Sequence, residues 1–229
     1  MKTVLITGAN RGIGLELAKQ YLDLKEFQVV ATCRTPEAAA ELARLAESSR
    51  LEVVSLDVNS DASVAALREQ LRGRPVDVVI NNAGISGGDQ QSVESMDYEA
   101  WLQVFATNTQ APFRILSALR EDLCAASEPR AITLSSQMGS LAGEGTGTFA
   151  YRSSKAAVNK VMQVLALEWA GDGIIVCPVH PGWVRTDMGG PHADISVEES
   201  ASGIIRLVSS LKMEHSGRFW AWDGSELPW

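Results

Sequence analysis

The sequence predicts one α/β domain, spanning 1–229, with a doubly wound parallel sheet of about seven strands and helices on both faces. Three observations carry this expectation. Short runs rich in Val, Ile and Leu recur along the chain, longer amphipathic patterns separate them, and a glycine-rich turn closes the first run. No internal repeat, low-complexity tract or Pro/Ser-rich linker interrupts the alternation.

The first apolar run, 3–7, leads directly into Thr7-Gly8-Ala9-Asn10-Arg11-Gly12-Ile13-Gly14, which opens a helical pattern over 12–24. Gly8 permits a sharp turn, Gly12 lets a pyrophosphate approach the backbone, and Gly14 lets the helix pack closely on the strand. The helix N-terminus adds N–H groups and a partial positive charge, as in a Rossmann-type dinucleotide turn. A glycine-rich turn without a ligand is the alternative.

The second run, 27–33, ends at Cys33-Arg34, with no carboxylate to bind the ribose hydroxyls of NAD. Arg34 and Arg11 could instead hold a 2'-phosphate through charge-assisted bonds, or Arg34 could simply be solvated. A helical pattern over 36–48 follows, then a third run, 51–56. Asp57 at its end could accept from an adenine amino group or cap a turn. After the helical pattern 61–72 and the fourth run, 76–80, Asn81-Asn82-Ala83-Gly84 forms a turn of small residues.

The long helical pattern 98–126 contains Asn108 and Pro112, both poor choices for a helix interior. A surface asparagine beside a packing kink is the simpler reading, and a bent helix next to a functional site is the other. The fifth run, 130–135, closes on Ser135-Ser136. The next helical pattern, 151–169, puts Tyr151 and Lys155 four residues apart on one face. A nearby ammonium would bring the phenol down from its ordinary pKa of about 10 and make it a usable acid, while coverage of a helix surface is the plain alternative. Two last runs, 174–179 and 218–222, flank a helical pattern over 197–211. Glycine-rich loops at 86–88, 139–147 and 189–190 all follow strands, on the side where an open α/β sheet binds ligands.

Composition narrows the function. The chain has 229 residues, 45% of them hydrophobic and 21% charged, with a net charge of -8. No basic stripe offers itself to nucleic acid or to anionic lipid. No apolar stretch approaches the roughly 20 residues that span a bilayer, and residues 1–6 do not resemble a leader, so a cytoplasmic protein is expected. Cys33, Cys124 and Cys177 fit neither a disulfide framework nor a zinc site and are expected as small core residues. His180, His192 and His215 lack metal-ligand spacing, so no metal is expected.

Together, Thr7-Gly8-x-x-x-Gly12-x-Gly14, Asn81-Asn82-Ala83-Gly84, Asn108, Ser136, Tyr151-x-x-x-Lys155 and Pro181-Gly182 resemble the short-chain dehydrogenase/reductase family over the whole chain. The stretches 151–155, 180–191 and 223–229 resemble its C-factor-like carbonyl reductase group. The resemblance implies NADPH-dependent, reversible reduction of an aldehyde or ketone. Tyr151 would be the acid/base, Ser136 would polarise the carbonyl, Lys155 would bond the nicotinamide ribose and tune Tyr151, and Asn108 would hold a relay water. The implied NADP contacts are Gly8, Asn10, Arg11, Gly12, Ile13, Gly14, Arg34, Asp57, Val58, Asn81, Ala83, Gly84, Tyr151, Lys155, Pro181, Gly182, Val184 and Thr186.

The segment between Ser136 and Tyr151 departs from many family members, being longer and richer in glycine. Ile85, Met138, Leu141, Phe149, Trp183 and Met188 suggest an apolar pocket with room for a ring. Residues 186–197 are expected as a lid. Phe219, Trp220, Trp222 and Trp229 crowd the last run, read as an edge strand, and imply a homodimer or homotetramer. The alternative function is a nucleotide-binding signalling or regulatory protein of C-factor type, in which turnover is secondary.

Overall fold

The computed structural model describes residues 1–46 and 48–229. One sheet runs through the molecule in the order β3-β2-β1-β4-β5-β6-β7-β8, with β1 at Lys2–Thr7, β2 at Phe27–Cys33, β3 at Leu51–Ser55, β4 at Val78–Asn81, β5 at Arg130–Leu134, β6 at Ile175–His180, β7 at Phe219–Ala221 and β8 at Glu226–Leu227. Every pairing is parallel except β7 with β8. Since β1 pairs with both β2 and β4, the winding reverses there, and a crevice opens at the carboxyl ends of those two strands.

The period-2 alternation of the strands feeds two cores. Val4, Ile6, Val29, Ala31, Ile132, Cys177 and Val179 face one layer. It is made by α1 (Gly12–Asp23), α2 (Ala40–Leu45) and α8 (Val197–Ser210). Leu5, Val30, Val79, Ala131 and Val176 face the other. That layer holds α3 (Asp61–Leu71), α5 (Ala111–Ala118) and α7 (Phe149–Glu168). Each fully buried Leu, Ile or Val contributes about 1.5–3 kcal/mol relative to exposure, so both layers hold the sheet from the middle of the chain outward.

The sheet has eight strands, not seven. β8 is two residues long, and the Asp223-Gly224 turn, with φ +91 at Gly224, folds it back on β7. β7 is therefore not an edge. Phe219 is fully buried and stacks on Trp229 with ring centroids 6.0 Å apart, so these aromatics cover their own strand end. The expected helix 36–48 begins as a 3-10 turn, Pro36–Ala38, before α2, and its residue Glu47 lies outside the described residues. Cys33 and Cys177 are buried as expected, but Cys124 is exposed.

The pattern 98–126 is also not one helix. It divides into α4 (Tyr98–Phe105), a π-helical turn over Ala106–Gln110, α5 and α6 (Arg120–Cys124). Pro112 has no N–H for the carbonyl of Asn108, so the α-helical ladder cannot close there and the extra residue of a π turn is accommodated. Among the described residues, no helix is long and apolar enough to cross a membrane, and no group of three or more His, Cys, Asp or Glu could hold a metal ion.

Candidate active site

The nucleotide side of the crevice is assembled from main chain. Gly8 and Gly12 sit at φ +64 and +54, where side chains are strained. A Cβ on Gly14 would collide with the Asn82 side chain and the Gly8 carbonyl, so glycine is what lets α1 start this close to the β4 turn. Asn82 holds the two turns together. Its Nδ2 donates to the carbonyls of Thr7 (2.8 Å) and Gly8 (3.0 Å), while Thr7 Oγ1 accepts from the Asn82 and Ala83 N–H groups, each at 3.0 Å.

Arg11 is the N-cap of α1 and offers no capping side chain, so the first N–H groups of the helix face the crevice without an internal acceptor. This arrangement fits an anion such as a pyrophosphate. Asn10 is exposed beside them and Ile13 is half-buried. Arg34 is exposed at the end of β2, with no carboxylate next to it. Arg11 is exposed as well. Its Nη1 pairs with Asp187 at 2.7 Å across the mouth of the crevice, an exposed pair that contributes little stability by itself. Asp57 caps its own turn by accepting from Asn59 N–H (3.0 Å), and Val58 is buried behind it. Asn81 turns inward toward Pro112 O and Thr133 Oγ1, so only its main chain is presented to the crevice.

On the reaction side, the buried Asn108, Ser136 and Lys155 converge on the half-buried Tyr151. Ser135 and Ser136 part company: Ser135 Oγ donates to Asn159 Oδ1 (2.5 Å) inside the core, whereas Ser136 Oγ accepts from Met138 N–H and its hydroxyl acts on the Tyr151 phenol, pulling its pKa down. Gly139 makes this possible, because the 3-10 turn Gln137–Gly139 rests directly on the Lys155 backbone, with 2.6 Å left for a Cβ. The glycine-rich segment that follows also has a packing reason. Arg152 folds back into it, its Nε donating to Gly147 O (3.1 Å), and the space a Cβ on Gly145 would need is taken by the guanidinium.

Lys155 is 6% exposed and donates from Nζ to Leu134 O at 2.7 Å, with its ammonium 5.7 Å from the Tyr151 ring centroid. Burial pulls this ammonium down to about 8. The phenol moves opposite to expectation: burial pushes Tyr151 above its ordinary value, and the Ser136 hydroxyl only partly offsets this. Desolvation of the phenolate is the larger of the two causes.

Asn108 is 1% exposed, so the surface-asparagine reading is wrong. Its amide makes a pair of hydrogen bonds with the Ile85 backbone, accepting from Ile85 N–H and donating to Ile85 O, both at 2.9 Å. It also donates to Ser154 Oγ at 3.1 Å. A Cβ on Gly84 would sit 3.3 Å from Asn108 Oδ1 and 3.8 Å from Lys155 Nζ, which places the small-residue turn against both.

At the far wall, Gly182 (φ +90) lies under Ile195 and Trp222, and Pro181 O accepts from Ser200 Oγ at 2.6 Å. Val184 is buried and bridges to Ile195, and the Thr186 methyl lies 3.4 Å from where a Gly12 Cβ would stand. The segment expected as a lid is thus tied back at its base and meets the glycine turn. Sequence reading missed Asn82, Ser154 and Gln91 as parts of this frame. Asn82 carried a signal, since two consecutive asparagines after a strand need two different employments.

This fold and this pairing of turn and tyrosine are those of an oxidoreductase. The short chain dehydrogenase family profile matches residues 2–194, and the chain belongs to that family. It is 40% identical to the C-signal of Myxococcus xanthus over 68% of this chain and 93% of that protein. Among solved structures it resembles the NADPH-bound carbonyl reductase from chicken fatty liver, with 34% identity, TM-score 0.92 and coverage of 100% and 99%. It also resembles a carbonyl reductase from Pseudomonas aeruginosa PAO1 in complex with NADP, with 37% identity, TM-score 0.86 and both chains fully covered.

Proposed function

We propose that this chain reduces aldehydes or ketones to alcohols, reversibly, with NADPH as hydride donor. The observation that carries the reading is the convergence on Tyr151 of the buried Ser136 hydroxyl, which acts on the phenol, and the buried Lys155 ammonium, 5.7 Å from its ring centroid. NADPH, when bound, supplies the hydride to the carbonyl carbon. Gly8, Asn10, Arg11, Gly12, Ile13 and Gly14 would hold the pyrophosphate side, and Arg34, Asp57 and Val58 the adenosine side. Asn81, Ala83 and Gly84 would line the ribose, and Pro181, Gly182, Val184 and Thr186 the nicotinamide end. The uncapped α1 and the positive-φ glycines that lead into it fit such a ligand.

The chain's own groups manage the proton. Ser136 already accepts from Met138 N–H, which leaves its hydroxyl hydrogen for a carbonyl oxygen. Burial keeps Tyr151 protonated, so it is ready to donate to that oxygen as the alkoxide forms. Lys155, still mostly charged near pH 7, stabilises the phenolate left behind. The Asn108 carbonyl, denied an α-helical donor by Pro112, is the acceptor for a relay water. Ile85, Leu141, Trp183 and Met188 are exposed on loops after β4, β5 and β6, Phe149 is exposed at the start of α7, and Met138 is half-buried after β5, which favours an apolar carbonyl compound.

The likeness to the C-signal favours a second reading, a nucleotide-binding signalling or regulatory protein. The placement of Ser136 and Lys155 at Tyr151 argues for turnover, because nucleotide binding alone uses the glycine turn and not the tyrosine. Absorbance of NADPH over a panel of aryl ketones, aldehydes and diketones tests this: oxidation with at least one compound is expected, and none from a chain that binds NADPH contradicts it. Tyr98, Leu102, Val164 and Leu167 are exposed on α4 and α7 and favour a homodimer or homotetramer. Light scattering at micromolar concentration should show more than a monomer.

A further inference from the structure

We propose that Gln91 is a positioning residue for Tyr151, acting as the helix cap that α7 lacks in its own sequence; this rests on the reading of Tyr151 given above. The N-cap of α7 is Thr148, which stands in the left-handed region (φ 47) and makes no side-chain cap bond. The acceptor comes from 60 residues away: Gln91 Oε1 receives the Tyr151 N–H at 3.1 Å. Tyr151 is the third residue of α7, the position that a capping side chain ordinarily serves.

The rest of the Gln91 amide is equally committed. Its Nε2 donates to Ser86 O (2.7 Å) and Gly88 O (2.8 Å), and the residue is 6% exposed. Gly87, at φ +89 and pressed against Val104, is what turns both carbonyls toward one amide. The loop after β4 is therefore joined to Tyr151 twice. Asn108 links Ile85 to Ser154, whose Oγ donates to Tyr151 O at 2.7 Å, and Gln91 links Ser86 and Gly88 to Tyr151 N–H. Both polar groups of the Tyr151 main chain are thereby fixed to the loop that carries Gly84 and Ile85. A shift of that loop moves the phenol.

Two substitutions separate the cap from the loop tie. Gln91→Met fills the same space with no polar atom. Gln91→Glu keeps the acceptor at a helix N-terminus, where negative charge is favourable, and loses both donors. In Gln91→Met, amide exchange at Tyr151 should speed up and kcat should fall about tenfold, the rate factor that matches the loss of one capping bond, with NADPH affinity unchanged. Gln91→Glu should recover most of kcat while the KM for the carbonyl compound rises. A Met variant with wild-type kcat, or a Glu variant as slow as the Met one, overturns the proposal. If the Met variant does not bind NADPH, the Glu variant decides by its KM, and an unchanged value overturns the loop tie. Tyr151→Phe assayed in parallel keeps the two readings apart. Wild-type turnover there refutes the role of Tyr151, whereas exchange at residue 151 in the Gln91 variants reports the cap whatever the turnover.

Discussion

On the nucleotide side of the crevice, the main chain does the shaping: glycines at positive φ, an uncapped helix end and the Asn82 amide that ties two turns together. On the reaction side the shaping is done by buried side chains, with Asn108, Ser136 and Lys155 all under a tenth exposed and Asn108 and Lys155 each held by a partner far away in sequence. The contrast separates two kinds of cost. Glycine turns sacrifice chain entropy, a local matter settled within a few residues. A buried ammonium and a buried phenol sacrifice solvation, which only tertiary partners can offset. Substitutions on one side should therefore alter affinity, and those on the other should alter turnover and pH dependence.

Short of removing the Tyr151 hydroxyl itself, Lys155→Met should give the largest effect. Removing the ammonium beside Tyr151 should lower kcat about 10²- to 10⁴-fold, the usual range for acid–base groups. The same change tests the solvation cost. With its folded value pulled to about 8, Lys155 binds fewer protons folded than unfolded between pH 8 and about 10.5, so stability rises with pH across that window. Thermal midpoints of the native chain should rise relative to Lys155→Met over the same range. A parallel response of the two proteins would place the ammonium in water.

Arg34→Asp probes the other side. A charge-assisted bond contributes about 1.5 to 3 kcal/mol, so the native preference for NADPH over NADH should be roughly ten- to a hundredfold and should be lost in the variant. Because Arg11 is engaged with Asp187, Arg34 should carry most of this discrimination. Equal specificity constants for the two cofactors in the native enzyme would mean that Arg34 faces solvent only.

How much of this was legible in the sequence follows from the same contrast. Gly8, Gly12 and Gly14 announce themselves because no other residue suits their geometry. The parallel sheet was legible because apolar runs and helical patterns alternate. The two-residue β8 carries no periodicity, and only Asp223-Gly224 signalled the hairpin. Asn108 was misjudged from the pattern alone, since nothing local shows that its amide serves the Ile85 backbone. Gln91 gave no signal at all, because its use depends on a helix that begins some sixty residues later. The downward shift expected for Tyr151 failed for the same reason: the helix spacing revealed the neighbouring cation but not the burial.

His180 gives the smallest expected effect and lies between the two regions, at the end of β6. It is 8% exposed, its Nδ1 lacks a partner among the described residues, and burial pulls it down to about 4. The unfolded chain therefore binds more protons between about pH 6.5 and 4, and stability falls as the pH drops through that window. The loss should be on the order of 2 kcal/mol by pH 5. Chemical denaturation of His180→Asn should show a flatter acid limb. An identical limb would assign the acid loss to other groups.

The most direct test of the central claim is Tyr151→Phe, assayed for NADPH binding and for carbonyl reduction in the same preparation. The ring and its packing remain, and only the transferable proton is lost. The account predicts NADPH affinity close to that of the native chain together with turnover reduced to background. Native turnover in that variant would contradict it.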